Sequence, residues 1–473
     1  MKDDFDLVVV GSGPAGEKAA AQAAYFGKSV AVVEARSDPG GIAVSSAGIP
    51  TKALRESAIY LSGLGQSPAD LSEKGSILAR LMARKDEAVS VMTHAVRRNL
   101  TRHRVELVHG RAKLLPGRRV EVTLAEGGTR VLTAKAVLLA TGGRAVRPSW
   151  LPANDRAVRD SESILRIDRL PASLLVIGEG AVGCEYASIF GALGVKTTLL
   201  SRSPRLMPAA DAECSRALAE SFNGIGIRVL PKSEVLGLER HGDLLRATLA
   251  SGRTAEGELA LVAMGRTAAT DGLGLEEAGV ALRDDGHVLV SERYETTAPG
   301  VYAAGDLIGP PGLAAAAMEE GRVAVCHALE LGFKTRVDAL CPMYVFSIPE
   351  LASVGLTEEA ARERGRDVET GRTSFAANAK ARVSGFADGI LKLVFDRQDE
   401  RLLGVHIVGE QASELIHLGQ LVLHEGGNLR RFIDMTFAVP TRSEAYKYAA
   451  YDGLMRLARR RSTPAEGAVA LRA

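Results

Sequence analysis

The sequence predicts an α/β fold in which one strand–helix–strand module occurs twice and an α+β region follows. Three observations carry the prediction. Fifty glycines with only 4% aromatic residues suit a chain of many strand-to-helix turns, where backbone must approach backbone or a ligand closely. The module, an apolar strand running into a glycine turn and a helix, is legible near Phe5 and again near Leu174. From Cys341 onward the texture changes to alternating strands followed by helical runs.

The elements follow in order. Phe5 to Val10 reads as a strand, Glu17 to Phe26 as an alanine-rich helix, and Ser29 to Val33 as the returning strand. The second copy runs through a strand at Leu174 to Ile177, a helix near Ala181 to Leu193 and a strand at Lys196 to Leu200. In the last region Ile390 to Phe395 and Leu402 to Val408 form strands joined by a polar hairpin turn. Beyond Arg459-Arg460-Arg461 neither periodicity nor large apolar residues offset the entropy of ordering, so a flexible tail is expected.

Composition bounds the function. At 473 residues the chain is expected to hold about three domains. Lys plus Arg total 59 against 57 for Asp plus Glu, which gives no electrostatic case for nucleic acid or an anionic membrane surface. No apolar stretch approaches the ~18 residues that span a bilayer, and the acidic start is unlike a signal peptide, so a cytoplasmic protein is expected. Cys184, Cys214, Cys326 and Cys341 are scattered, without metal-ligand spacing, so neither a metal site nor a disulfide framework is expected.

The chemistry lies in the turns. Gly11-Ser12-Gly13-Pro14-Ala15-Gly16 follows a strand and opens a helix: Gly11 for the tight turn, Gly13 to admit a pyrophosphate, Gly16 to let helix pack on strand. The helix N-terminus presents N–H groups and partial positive charge to phosphates, and Glu34 at the end of the next strand suits ribose hydroxyls. Gly178-Glu179-Gly180-Ala181-Val182-Gly183 repeats the arrangement, with Gly178, Gly180 and Gly183 in the same roles. Two Rossmann-like dinucleotide-binding domains, and two nucleotides, are therefore expected. The offset of 23 residues from Gly11 to Glu34, applied to Gly178, lands on Ser201, so the second strand end lacks the acid. Arg202 and Arg205 lie just beyond it, where a guanidinium pairs with a 2′-phosphate; this favours NADP(H) over NAD(H). The other reading makes both arginines solvated surface side chains.

These residues resemble the two-dinucleotide flavoprotein reductases, the pyridine nucleotide-disulfide oxidoreductase family, over nearly the whole chain. Ile49-Pro50-Thr51-Lys52, Ala140-Thr141-Gly142 and Thr297 through Asp306 are similar to that family's ordered FAD motifs. The resemblance implies FAD on the first module, with Gly305 and Asp306 at its ribityl chain and Thr141 and Gly142 at the domain crossover. It implies Lys52 paired with Glu185 beside flavin N5, against the reading of two separate surface charges. The implied division is an FAD-binding domain over 1–147 and 271–340, an NAD(P)-binding domain over 148–270, an α+β dimerisation domain over 341–460 that makes a homodimer, and the tail over 461–473.

The chain departs from the family where disulfide chemistry resides. Ala43 and Gly48 stand at the positions of the redox cysteine pair, and Val439 stands where a histidine precedes Pro440-Thr441-Arg442-Ser443-Glu444. Dithiol turnover is therefore not expected at this site, and Glu444 is expected to serve structure. Segments Asp160–Leu165, Gly183–Phe190, Gly265–Thr267 and Glu444–Tyr446 are most similar to the soluble, Si-specific pyridine nucleotide transhydrogenases. The resemblance implies hydride transfer from NADPH through flavin N5 to NAD⁺ at one nicotinamide site. Two other readings stay open: an NADPH-dependent quinone or diaphorase-type reductase using the flavin face beside Ala43 to Gly48, and a redox-silent nucleotide-binding scaffold.

Overall fold

A computed structural model describes residues 3–63, 74–152 and 155–462. The chain forms two units, one of Met1–Ser57, Leu71–Leu170 and Leu261–Ala339, the other of Ala58–Asp70, Pro171–Ala260 and Leu340–Ala473.

The first unit is built on β1 (Phe5–Val10), α1 (Pro14–Tyr25) and β2 (Val30–Glu34). A parallel sheet runs from the strand Glu106–Leu115 through β2 and β1 to Thr129–Leu139 and Val301–Ala303. Parallel strands buried on both faces need continuous apolar runs instead of alternation, and Leu7 through Val10 are at most 5% exposed. At roughly 1.5–3 kcal/mol per fully buried aliphatic side chain, such a run anchors the strand from which the glycine turn departs. Pro14 presets the backbone at the start of α1, and the helix buries Ala15, Ala19, Ala20 and Ala23. Small side chains let another helix come close: a Cβ added to Gly321, on the helix Ala314–Ala328, would lie 2.3 Å from the Ala15 carbonyl oxygen.

In the second unit β3 (Ser173–Ile177), α2 (Ala181–Ala192) and β4 (Lys196–Leu200) repeat the module, with β3 and β4 parallel. Helix α3 (Ala212–Gly224) follows and leads to the strand Arg228–Leu230, parallel to β4. The C-terminal part is an antiparallel sheet in the order Met343–Val345, Leu351–Gly355, Leu402–Val408, Ile390–Asp396, Val368–Ser374. Its hairpin pairs β5 (Ile390–Asp396) with β6 (Leu402–Val408), in the segments the sequence indicated. Helix α4 (Glu444–Ser462) lies so close to the sheet that a Cβ on Gly371 would meet the Ala449 oxygen at 2.1 Å.

Sequence alternation understates the burial of β5, where Leu391 through Phe395 are all buried, Lys392 at 1% exposure. Leu391, Leu393 and Phe395 join the apolar core with Ala449. On the other face Lys392 Nζ meets Asp211 at 2.9 Å, Glu213 at 2.8 Å and Glu358 at 2.7 Å. Of the expected tail, Arg461 and Ser462 complete α4, and the rest lies outside the described residues. Among the described residues no helix is long and apolar enough to cross a membrane.

Candidate active site

In both modules the three glycines are distinguished by what a side chain would meet. Gly11 and Gly178 have φ of 100° and 127°, which L side chains rarely adopt. A Cβ on Gly16 would lie 1.9 Å from the Gly11 oxygen, and one on Gly183 would lie 2.0 Å from the Gly178 oxygen. The middle glycines differ: a Cβ on Gly180 would meet nothing within 4 Å, and one on Gly13 only Gly41 Cα at 3.9 Å. Protein packing thus gives no reason for glycine at the middle position, whereas a ligand lying against the turn does. The caps agree. Gly13 and Gly180 start their helices without a side-chain cap, whereas Asp211 caps α3 by accepting from Glu213 N at 3.0 Å and Cys214 N at 3.4 Å. Uncapped N–H groups and the helix dipole fit a pyrophosphate at each turn.

Carboxylates flank both turns, differently placed. Glu34 is buried and accepts from Ser12 N at 3.0 Å, from the Ser12 hydroxyl, and from Arg36 N at 2.8 Å. Ser201 is also buried, and its hydroxyl donates to Ser203 O at 2.8 Å. The second turn nevertheless has a carboxylate, from Glu179, which accepts from Arg202 N at 3.2 Å. Sequence reasoning missed it because the acid stands inside the turn, where the first turn has Ser12. The Arg202 side chain is exposed. Arg205 is partly engaged, donating to Glu359 at 3.1 Å and to Pro208 O at 3.0 Å.

The remaining expected FAD motifs lie in the first unit. Thr141 Oγ1 donates to Ala269 O at 2.9 Å, and Gly142 O accepts from Ala269 N at 2.9 Å, tying the two crossings of the chain together. Asp306 pairs with Arg266 at 3.2 Å. Gly305 N donates to Glu320 Oε2 at 2.8 Å, and burial raises the pKa of this carboxyl. Neither Arg266 nor Glu320 was singled out as a site residue; the Gly265-Arg266-Thr267 segment was the available signal for the first, and a glutamate within an alanine-rich helix for the second.

Ala43 lies on the short helix Gly41–Ser45. Gly48 N donates to Ala43 O at 3.1 Å, and a Cβ on Gly48 would fall 2.5 Å from that same oxygen. The backbone is therefore closed over the position where a second cysteine would stand. Lys52, half-buried on the helix Ile49–Gly63, donates to Thr51 Oγ1 at 3.2 Å. Glu185 is 7% exposed on α2 and accepts from Phe346 N at 3.0 Å, so it is no solvated surface charge. Lys52 belongs to the first unit and Glu185 to the second. Val439 is 74% exposed, and Glu444 accepts from Thr441 N at 3.3 Å, at the start of α4. None of the four cysteines is in a disulfide, and burial raises the pKa of Cys184, Cys214 and Cys326.

The chain is similar to known proteins over nearly its whole length. It is 37% identical to the soluble pyridine nucleotide transhydrogenase of Mycobacterium bovis (strain BCG / Pasteur 1173P2), across 95% of this chain and 97% of that one. It is 36% identical to the soluble pyridine nucleotide transhydrogenase of Pseudomonas entomophila (strain L48), across 96% and 99%. Among solved structures, the Cu(II) complex of the HOCl-induced flavoprotein disulfide reductase RclA from Escherichia coli matches with a TM-score of 0.86, 27% identity, and 95% and 99% of the two chains covered. LpdA from Mycobacterium tuberculosis matches with a TM-score of 0.84, 29% identity, and 94% and 99% covered. The sequence pattern described as Pyridine nucleotide-disulphide oxidoreductase matches residues 5–321, and that of its dimerisation domain matches residues 341–450. Two Rossmann-like modules, a matched dimerisation domain and these relatives establish that the chain belongs to the pyridine nucleotide-disulphide oxidoreductase family.

Proposed function

We propose that the protein is an FAD-dependent, homodimeric, cytoplasmic transhydrogenase that moves a hydride from NADPH to NAD⁺ without dithiol chemistry. One observation carries the reading: two glycine turns of matching geometry stand open at their middle glycine, in a chain that has Ala43 and Gly48 where thiols would act. The net reaction balances by itself. A C–H bond of the NADPH nicotinamide breaks, the same hydride forms a C–H bond on NAD⁺, and NADP⁺ and NADH leave.

Bound flavin supplies the electron-pair reservoir between the two half-reactions. The chain supplies position and charge. Gly11, Gly13 and Gly16 receive the FAD pyrophosphate at the start of α1, Glu34 takes its ribose, and Gly305 and Asp306 its ribityl chain, with the crossing at Thr141 and Gly142 beside them. Gly178, Gly180 and Gly183 receive the nicotinamide coenzyme at the start of α2, with Arg202 and Arg205 at its 2′-phosphate. Lys52 and Glu185 are the charged residues assigned to the reacting rings, the first half-buried and the second buried. On the same reading FAD is held by residues 1–147 and 271–340, the coenzyme by 148–270, and the dimer by 341–460.

Steady-state turnover of NADPH with a thionicotinamide analogue of NAD⁺ tests the proposal, with a disulfide and a quinone as rival acceptors. The reading requires the analogue to be reduced and the disulfide to be left untouched. Fast quinone reduction without analogue reduction would move the assignment to a quinone reductase. No turnover with any acceptor would favour the scaffold reading.

A further inference from the structure

The two turns bring a carboxylate to the same gap from opposite sides. In the first module Glu34 leaves the end of β2 and its Oε2 takes the N–H of Ser12, the second residue of the turn, at 3.0 Å. In the second module Glu179 is itself the second residue of the turn, and its Oε2 takes the N–H of Arg202, beyond the end of β4, at 3.2 Å. The backbones carrying these groups are held alike: Gly11 N donates to Val33 O at 2.8 Å, and Gly178 N to Leu200 O at 3.0 Å. Glu179 is fixed at both ends, because its carbonyl accepts from Met207 N at 2.9 Å while its carboxylate holds Arg202 N.

The gap between turn and strand end is where this type of fold receives the adenosine ribose. A carboxylate there accepts a hydrogen bond from a 2′-hydroxyl and repels a 2′-phosphate; a guanidinium does the reverse. The second module has both, Glu179 in the gap and the exposed Arg202 at its rim. A site for NADP(H) alone gains nothing from a carboxylate in that gap, whereas one that must take NADP(H) and NAD(H) in turn needs a cation for the 2′-phosphate of one and an acceptor for the 2′-hydroxyl of the other.

We infer that Glu179 is the residue that selects NAD(H) at the second site, by accepting the adenosine 2′-hydroxyl and opposing the 2′-phosphate that Arg202 attracts. This rests on the reading of the second turn as a nicotinamide-coenzyme site. Glu179 thus sets the balance between the two coenzymes in place of the missing strand-end acid.

The test is calorimetric titration of the FAD-loaded dimer with NAD⁺ and with NADP⁺, for the wild type, E179Q and E179A. Gln keeps one acceptor for Arg202 N but replaces the other oxygen with an amide donor and removes the charge, so it separates coenzyme selection from loop anchoring. In both variants NAD⁺ binding is expected to weaken by about tenfold and NADP⁺ binding to tighten, so that the ratio of the two dissociation constants shifts toward NADP⁺ by more than about tenfold. Flavin content and the melting temperature of E179Q are expected to stay at the wild-type values. An unchanged ratio in both variants, with both coenzymes bound by the wild type, would overturn the inference and leave the transhydrogenase reading standing. If the wild type binds neither coenzyme, the reading of the site falls and the inference with it.

Discussion

The two glycine turns of this chain share a backbone and differ in their charge. Both place the first glycine at positive φ, both close the third against a carbonyl oxygen, and both leave the second open. Around that common frame the first turn is served by a strand-end acid, Glu34, and the second by an acid within the turn, Glu179, with arginines beyond the strand. The difference teaches that the turn geometry specifies a dinucleotide, while the side chains along its rim specify which one. On the proposed reading FAD is met by a buried acid, and the exchanging coenzyme by mixed charge at an exposed edge.

The surroundings differ as well, and the largest predicted effect breaks that contrast. The loop after β4 leads to Asp211, whose buried carboxylate pairs with Lys392, and the same ammonium meets Glu213 and Glu358. Lys392→Met removes the cation and leaves buried acids uncompensated, so the second unit should lose about 3–5 kcal/mol while the first keeps its FAD. Differential scanning calorimetry with flavin absorbance follows both. The same network sets a pH response. Burial raises the Asp211 and Glu358 carboxyls, but Lys392, joined at Asp211 by His406, outweighs it and holds both below the ordinary range. A depressed carboxylate pKa contributes stability that is complete above about pH 5 and lost as pH falls through the folded value. Lys392 is raised above the usual lysine range: burial lowers it, and the facing acids more than reverse this, so its contribution persists until pH climbs past about 10.4. Burial lowers His406, whose protonation costs stability below its ordinary range near pH 6.5. Thermal unfolding of the second unit should therefore be flat between about pH 6.5 and about 10.4 as far as this network is concerned, and Lys392→Met should remove the acid-side loss of the two carboxylates.

Next in size are paired glycine substitutions, which sharpen the shared geometry. Gly16→Ala and Gly183→Ala both force a Cβ into a carbonyl oxygen and should each cost about 1–3 kcal/mol of stability, read from chemical denaturation. Gly13→Ala and Gly180→Ala should leave stability nearly unchanged and weaken only their own nucleotide, FAD in one case and the nicotinamide coenzyme in the other. Loss of folding from Gly180→Ala would show that packing, after all, dictates that glycine.

Lys52→Met and Glu185→Gln test the charged pair. Each should slow flavin bleaching by NADPH about 10- to 100-fold, and a double variant little slower than either would show that the two charges act as a unit. Additive losses in stopped-flow traces would mean that the two residues act independently. The smallest effect belongs to the rim: Arg202→Ala should weaken NADP⁺ about tenfold in equilibrium titration and leave NAD⁺ unchanged, as expected for one solvent-exposed charge-assisted contact.

Much of this was legible in the sequence because the backbone demands it. A strand buried on both faces needs an unbroken apolar run such as Leu7 to Val10, and a left-handed first position needs glycine, so Gly11 and Gly178 marked both modules at once. The hairpin of β5 and β6 was equally plain. The rest depended on contacts that spacing does not encode. Glu179 escaped because the offset from Gly11 to Glu34 tests the strand end, and the acid had moved into the turn. The strand Ile390 to Phe395 was legible, but nothing local announces that Asp211 and Glu358 cover Lys392 within it. Gly48 read as the loss of a thiol, whereas its backbone lies too close to Ala43 O for any Cβ without a shift.

The account stands most directly on the oxidative half-reaction. Enzyme bleached anaerobically with NADPH and freed of excess coenzyme is mixed with NAD⁺, and the flavin absorbance and the NADH formed are followed together. The account predicts that the flavin colour returns rapidly, with NADH formed in equal amount. A flavin that stays bleached with NAD⁺ but recovers at once with a quinone would contradict it.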